Sequence, residues 1–410
     1  MSHPTCRFCG SNLEFTFVDL GTAPLSNSYL NKSDLNGIEK RYPLHAYVCS
    51  ACFLVQLEKF ESPENIFSDY AYLSSYSDTW QKHCEAYAKA MIERFKLGDN
   101  SRVVELASND GCMLQYFKKR SIPVLGIEPA KNVARVAEAA GIPTVTEFFS
   151  VDCAERLARE GTKADLLVAN NVLAHVPDLN DFVEGMARIL ASSGVVTIEF
   201  PHLMRLIEHS EFDTIYHEHF SYFSFGTAIT ILEAHGLVVF DVEELTTHGG
   251  SLRIFCQRKE SGTQAKTDRV ESLLATEDRA GMTGVAYYTD FQYKADKVRD
   301  DLLAFLVETK RSGQKIAAYG AAAKANTLLN YAGVSSEFLP WIVDRNPSKQ
   351  GRFMPGSRIP IVDEMRIETE KPEFMLLLPW NLREELMTQL AYIRAWGGRF
   401  VTAVPKLEVR

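Results

Sequence analysis

The chain has 410 residues, with 53 acidic side chains against 44 basic ones and a formal net charge of −9. That balance excludes a general nucleic-acid binder, which needs a basic stripe to meet phosphates. Ordinary apolar and charged fractions, with no unbroken apolar run near the length of a membrane span, imply a soluble protein of two or three domains and no membrane partner. The start, Met1-Ser2-His3-Pro4, has neither a basic region nor an apolar core, so a cytoplasmic location is expected.

The first 65 residues are expected to form a zinc-bearing head. Cys6, Cys9, Cys49 and Cys52 make two Cys-x-x-Cys pairs, while Cys84, Cys112, Cys153 and Cys256 stand alone. In a reducing compartment two matched pairs read as metal ligands rather than disulfides or a redox couple. Four thiolates complete tetrahedral zinc and leave no position for water, so the expected role is structural. Leu20-Gly21-Thr22-Ala23-Pro24-Leu25 lies between the knuckles and can loop out. A polar, aromatic segment at 67–77 follows, and it includes Tyr70 and Ser74. Helical spacing of Trp80, Tyr87, Ala88, Met91, Ile92 and Phe95 predicts a helix that stops at Gly98.

Short apolar runs then alternate with helical stretches. Strands are predicted at 102–107, 123–128, 164–169 and 194–200, with helices at 113–119 and 132–140. This alternation implies a parallel, doubly wound α/β sheet over residues 66–260. A charged helical connector starts near 263. A second, smaller α/β pattern follows, with strands at 315–320, 338–344, 374–379 and 400–404. Connector and second sheet together are assigned to 261–410. Open sheets of this kind bind ligands beyond the carboxyl ends of their strands.

The loop after the first strand, Glu105-Leu106-Ala107-Ser108-Asn109-Asp110-Gly111, resembles the first motif of class I S-adenosylmethionine methyltransferases, usually Asp/Glu-x-Gly-x-Gly-x-Gly. Only Gly111 remains of those glycines. S-adenosylmethionine carries no phosphate, so Ser108, Asn109 and Asp110 are acceptable there. Glu128 ends the second strand, where an acid can grip two ribose hydroxyls. Asn170 and Asn171 close the strand expected to face the adenine and the methyl donor. The rival reading, an NAD-dependent oxidoreductase, lacks its Gly-x-Gly-x-x-Gly.

Downstream, Tyr216-His217-Glu218-His219-Phe220 collects a phenol, two imidazoles and a carboxylate. Such groups suit proton abstraction near neutral pH. A non-catalytic scaffold with a zinc head is the non-enzyme alternative, and this intact cluster argues against it.

With these residues assembled, the chain resembles the bacterial sugar C-methyltransferase family acting on nucleotide-linked 4-keto-deoxysugars. The resemblance runs through both Cys pairs, the 105–111 loop, Asn170-Asn171-Val172-Leu173-Ala174-His175-Val176-Pro177, and Glu199-Phe200-Pro201-His202. It continues through Tyr216–Ser224, Thr247-His248-Gly249-Gly250-Ser251-Leu252-Arg253 and Tyr319-Gly320-Ala321-Ala322-Ala323-Lys324-Ala325-Asn326. It implies methyl transfer from S-adenosylmethionine to a ring carbon, C3 in the type it is most similar to, through a base-generated enolate. The dTDP or GDP identity of the donor stays open. The resemblance implies His219 as the base, assisted by Tyr216. Glu218 would orient or polarise one of these, and His175 would lie near the ketone or enolate oxygen. Tyr70 and Ser74 would close over the methyl donor. Asn171 and Tyr222 would face the sugar. Gly320, Ala323, Lys324 and Asn326, at a helix start, would hold the diphosphate, with Arg253 as a further contact. His217 alternates with its neighbours and is left out of the site.

Overall fold

The computed structural model describes residues 4–67, 73–76 and 78–410. Three sheets account for the architecture. The head contributes β1 (Phe15–Ala23), β2 (Tyr42–Val48) and β3 (Val55–Leu57), joined antiparallel. The middle of the chain follows with β4 (Val103–Leu106), β5 (Val124–Ile127), β6 (Thr144–Val145), β7 (Ala164–Asn170) and β8 (Leu190–Pro201). Next comes the short β9 (Ser221–Tyr222), then β10 (Leu237–Leu245) and β11 (Ser251–Arg258).

The large sheet has the order β10-β11-β8-β7-β4-β5-β6, parallel from β8 to β6 and closed by the antiparallel β10–β11 hairpin. The sheet expected over this stretch is therefore mixed, because the hairpin covers its β8 edge. Its strands read as continuous apolar runs because both faces are covered. On one face Val103, Leu166, Val168 and Val195 pack against Tyr87, Met91 and Phe117. On the other Val104, Leu167, Ala169, Val196 and Ile198 pack against Leu157, Phe182, Met186 and Ile231. The helices supplying these residues are capped where the sequence provides oxygens: Ser150 accepts from Cys153 N, Asp178 from Asp181 N, and Ser224 from Thr227 N.

A third sheet is built from β12 (Ile316–Tyr319), β13 (Ile342–Val343), β14 (Ile361–Val362), β15 (Phe374–Leu377), β16 (Arg399–Thr402) and β17 (Glu408–Val409). Its order is β14-β13-β12-β15-β16-β17, parallel except at β17. The charged connector is helical at Asp268–Ala280, Ala286–Thr289 and Phe291–Arg311. Glu277 in its first helix accepts from His202 Nε2 at 2.6 Å, Phe225 N at 2.6 Å and Gly226 N at 2.8 Å. That carboxylate ties the connector to the helix following β9.

The head is not an appendage. β9 is the fourth strand of its sheet, with Val55 opposite Tyr222 and Gln56 opposite Ser221. Phe17 of β1 stacks on Phe291 of the connector at 4.5 Å. One core therefore runs from Phe17, Leu44 and Val48 through Phe212 and Ile215 to Leu302, Leu328 and Leu376. The segment rich in titratable groups lies where these parts meet. Among the described residues no helix is long and apolar enough to cross a membrane.

Candidate active site

The first loop keeps the backbone of a three-glycine turn without the glycines. Ala107, Asn109 and Gly111 all have positive φ, at 52°, 50° and 77°. These are the positions that glycine occupies in the motif the loop resembles. A non-glycine residue in this region costs roughly 1–2 kcal/mol. Strain of that kind persists where the surroundings enforce it, and active sites are such places. Here Asn109 Oδ1 accepts from Ser74 N at 2.9 Å, and Asp110 Oδ2 accepts from Ser75 N at 3.0 Å and Ser75 Oγ at 2.5 Å. Ser74 thus sits against the loop. Tyr70 lies outside the described residues.

The cradle beyond β4, β5 and β7 is lined by buried polar atoms that lack a partner among the described residues: Glu105 Oε2, Ser108 Oγ, Asp110 Oδ1, and both Asn170 Oδ1 and Nδ2. Orphaned buried polar groups are rare, because each costs about 1–3 kcal/mol. Five in one place fit a polar ligand. Gly126 is required beside them, since a Cβ there would strike Ser108 Oγ. Burial pushes Glu105 well above, and Glu128 above, the ordinary carboxylate range. Glu128 Oε1 accepts from Ala130 N at 2.8 Å and Oε2 from Asn109 N at 2.9 Å. Each oxygen keeps a second lone pair, enough for two hydroxyl donors. Glu128→Gln, which keeps these acceptors in part, and Glu128→Ala should both weaken S-adenosylmethionine binding, the second by at least about tenfold. Hydrogen bonds to a charged group contribute about 1.5–3 kcal/mol each. Calorimetric titration checks this, and unchanged affinity in Glu128→Ala would remove Glu128 from the cofactor site.

One turn past β7 lies the cluster of candidate acid–base residues. His175 and His219 stand edge to face, 4.7 Å between ring centroids. His219 Nδ1 lies 2.9 Å from Thr214 O, and a carbonyl can only accept, so Nδ1 carries the proton. Nε2 is then a lone pair, and the Tyr216 hydroxyl donates to it at 2.8 Å. Burial, followed by the neighbouring His175, holds His219 well below the ordinary imidazole range. It is neutral and able to take a proton. The same logic fixes His175: its Nδ1 donates to Glu218 O at 2.8 Å, and burial lowers it to about 4. Neutral His175 therefore presents a lone pair at Nε2. It can accept from a hydroxyl, but it cannot donate to a ketone or enolate oxygen as expected. Burial raises Glu218 to about 7, against the Asn27 amide that donates to its Oε1 at 2.7 Å. His217 turns away, to Pro43 O at 3.1 Å. The Tyr222 ring lies 6.1 Å from that of His219.

The last domain faces this centre through Lys324, which stands over Trp380 at 4.3 Å and reaches Asn381 Oδ1 at 3.3 Å. Burial lowers Lys324, while Asp213 and Glu211 oppose the shift. Gly320 has φ 95° and no room for a Cβ against Pro379. Its N–H goes to Val343 O, and the next amide, Ala321 N, goes to Asp344 Oδ2 at 2.9 Å. The amides of Ala323 and Lys324 begin the helix Ala323–Tyr331.

Two expected substrate contacts are corrected. Asn326 is 1% exposed and turned inward, with Asn330 donating to its Oδ1 and its own amide 3.5 Å from Pro24 O. Arg253 sits on β11 opposite Glu199 of β8 and Glu243 of β10. It binds Glu199 at 2.6 Å and Glu243 at 3.0 Å, so its charge is already matched inside the sheet. Several residues near the centre went unforeseen: Asn27, His83 against Glu199 at 3.0 Å, and Asp213 under Trp380 Nε1 at 2.7 Å. His248 has φ 55° and two further positive-φ residues, Gly249 and Gly250, behind it. The His-Gly-Gly run is the one signal that could have flagged such a turn.

In the head, the four expected ligands Cys6, Cys9, Cys49 and Cys52 converge, with all sulfurs within 4.8 Å of one another. Cys6 and Cys52 are 3.6 Å apart, and Cys9 and Cys49 3.5 Å. Zinc–sulfur bonds of about 2.3 Å in a tetrahedron need sulfurs about 3.8 Å apart, so the cluster fits zinc. Gln56 Nε2 donates to Cys6 Sγ at 3.2 Å, a support for a bound thiolate.

Comparison with known proteins follows the same division. Residues 6–67 match the family model described as "Putative zinc binding domain", residues 80–242 a methyltransferase domain, and residues 246–405 a C-methyltransferase C-terminal domain. The C-methyltransferase NovU of Streptomyces niveus is 33% identical over 404 residues, covering 98% of this chain and 96% of that protein. The ubiquinone biosynthesis O-methyltransferase of Bartonella tribocorum is 27% identical over 24% of this chain and 41% of its own. Among solved structures, the PH0226 protein of Pyrococcus horikoshii aligns with TM-score 0.38 at 15% identity, over 49% of this chain and all of that one. The magnesium protoporphyrin IX methyltransferase of Synechocystis aligns with TM-score 0.34 at 13% identity, over 43% and 79%. The full-length match to NovU decides the assignment: the chain belongs to the C-methyltransferase family and is an S-adenosylmethionine-dependent methyltransferase with a zinc-binding head.

Proposed function

We propose that the protein methylates a ring carbon, C3, of a nucleotide-linked 4-keto-deoxysugar. The observation that carries this reading is the Tyr216 hydroxyl bound to a His219 whose other nitrogen is pinned by Thr214 O. That pair is a proton acceptor held in one tautomer, beside a cradle for the methyl donor. A C4 ketone acidifies the hydrogen on C3, so such an acceptor is what a carbon nucleophile requires.

S-adenosylmethionine supplies an electrophilic methyl when bound. Glu128 would hold its ribose, and Glu105, Ser108, Asp110 and Asn170 its remaining polar groups. His219 Nε2 takes the C3 proton, directly once the phenol swings aside or through Tyr216, which then passes its own proton on. The electron pair of the C–H bond would move into the enolate and then into the new carbon–carbon bond, the methyl–sulfur pair returning to sulfur as S-adenosylhomocysteine leaves. Glu218, protonated for part of the time near neutral pH, can donate to the oxygen at C4 as charge grows there. Asn171 and Tyr222 would face the sugar. Lys324, with the amides of Ala323 and Lys324, would meet the diphosphate.

The test is chemical: incubate the enzyme and S-adenosylmethionine with a panel of dTDP- and GDP-linked 4-keto sugars, and locate the methyl by mass and NMR. A product methylated at C3 is expected. A methyl on oxygen, or on no member of the panel, would overturn the reading.

A further inference from the structure

We propose that Asn27, carried by the zinc-bearing head, is a positioning residue for Glu218, fixing one carboxyl oxygen so that the other one bears the proton offered to the substrate. The inference rests on reading residues 216–219 as the reaction centre, and it adds a part of the chain that the family motifs leave without a role.

The loop holding Asn27 is tied on both sides. Ser28 N bonds Leu25 O and Tyr29 N bonds Asn27 O, closing a tight turn. Tyr29 OH donates to Ala321 O of the last domain at 2.6 Å, and Leu30 pairs with Phe353 through two backbone bonds. The Asn27 side chain is thereby aimed at Glu218, 191 residues away in sequence, with Nδ2 2.7 Å from Oε1. Glu218 is 3% exposed. Its main-chain carbonyl is held in turn by His175 Nδ1–H. No bond to its Oε2 is made by the described residues.

The chemistry follows from what each group can do. An amide N–H donates and cannot accept, and the carbonyl oxygen of a neutral carboxyl is a better acceptor than its hydroxyl, so the bond favours Oε1 as the carbonyl-like oxygen. When Glu218 is neutral its proton is then favoured on Oε2. An O–H there can stabilise an enolate oxygen, which neutral His175 cannot do from its lone-pair nitrogen. The neighbours that could compete are few. Tyr29 belongs to the same loop, and Lys349 with Asp344 lies beyond it on the last domain. His217 is turned to Pro43, and His175 and His219 are neutral. Burial raises Glu218 to about 7, and the Asn27 amide works against that shift.

The experiment reads Glu218 itself in the full-length, zinc-loaded protein without substrate. Infrared difference titration follows its carboxyl band, assigned by its loss in Glu218→Gln. Half-protonation near neutral pH is expected. Asn27→Ala and the near-isosteric non-donor Asn27→Leu should both move it upward by roughly one unit, because a donor to the charged form is lost. Asn27→Gln, which keeps a donor, should stay nearer to wild type. Rate loss at high pH tracks deprotonation of Glu218, so that limb of the methyl-transfer profile should move upward with it. Zinc content and the thermal transition check that each variant is folded. An unchanged Glu218 titration in both Asn27→Ala and Asn27→Leu would overturn the assignment. A shifted titration with an unmoved alkaline limb would overturn its catalytic part. Because the titration needs no sugar, it stands even if the substrate proposal fails.

Discussion

Stripping the metal from the four-cysteine cluster is expected to abolish methyl transfer and to unfold the head at a temperature where the large sheet is still intact. Structural zinc sites bind with about 10–16 kcal/mol that is simultaneously folding free energy. The apolar residues of the head between residues 6 and 57 belong to clusters shared with the rest of the chain, and without the ion three buried sulfurs and the exposed one of Cys9 would crowd within 4.8 Å. The effect should reach the centre through a short physical path. Cys49 and Cys52 precede β3 directly, and β3 pairs with β9. Leu57 N bonds Phe220 O at 3.0 Å, and Phe220 N bonds Ala174 O at 2.7 Å. Arg7, one residue past Cys6, donates to Leu57 O and to Pro177 O. Releasing the knuckles frees both flanks of the segment that carries His219 and the loop that carries His175. A two-step melt after chelation, with activity restored on adding zinc, would support this. Cadmium should restore it too, since the ion has no chemical step to perform. No metal in gently purified protein, or full activity in metal-free protein, would defeat it. Activity that varied with the restoring ion would give the metal a chemical role instead.

Much of the large sheet was legible because its strands are buried on both faces. Val103–Leu106, Ala164–Asn170 and the β8 run are continuous apolar stretches for that reason. The β10–β11 hairpin and β9 were not read. A two-residue strand such as Ser221–Tyr222 has no periodicity, and its partner β3 lies more than 160 residues earlier. The first loop was legible only in part. Its glycines are replaced, yet the left-handed backbone at Ala107 and Asn109 persists, so conformation outlasted the residue type that normally marks it. Arg253 was misread for a related reason. An arginine after a His-Gly-Gly turn looks available, but its neighbours across the ladder, Glu199 and Glu243, are fixed by register alone. Asn326 looked like a helix-start donor, although Ala325, Asn326, Leu328 and Leu329 form the buried side of that helix. Asn27 could not have been found at all, since nothing local to it distinguishes it from any other turn residue. Tyr216, Glu218 and His219, by contrast, lie within four residues, so their proximity was legible from the sequence alone, and the bond from Tyr216 to His219 follows from it.

Replacing His219 by asparagine should leave the fold and cofactor binding intact while removing about 10²–10⁴ of the turnover, the usual range for loss of a general base. Asparagine can still donate to Thr214 O from its amide, so the turn is kept, but it has no lone pair basic enough to take a proton from carbon. The hydrogen bond from Tyr216 to Nε2 makes the companion variant informative. If the phenol merely covers the imidazole, Tyr216→Phe should cost little, because His219 is uncovered. If the C3 proton travels through the phenol oxygen, Tyr216→Phe should cost nearly as much as His219→Asn, since the relay is cut at its first link. Hydrogen exchange at C3 in deuterated water, with keto sugar and S-adenosylhomocysteine, separates proton removal from methyl transfer. Wild type that exchanges and His219→Asn that does not would place the base at the imidazole. Exchange kept in His219→Asn and lost in Tyr216→Phe would move the base to the phenol, with His219 reduced to its acceptor. The pH profile gives a second check. Burial holds His219 far below the ordinary imidazole range, so its neutral, proton-accepting form should persist through the weakly acidic region. Rate loss on the acid side near the ordinary imidazole value, removed in His219→Asn, would show instead that the working complex restores this histidine to ordinary basicity.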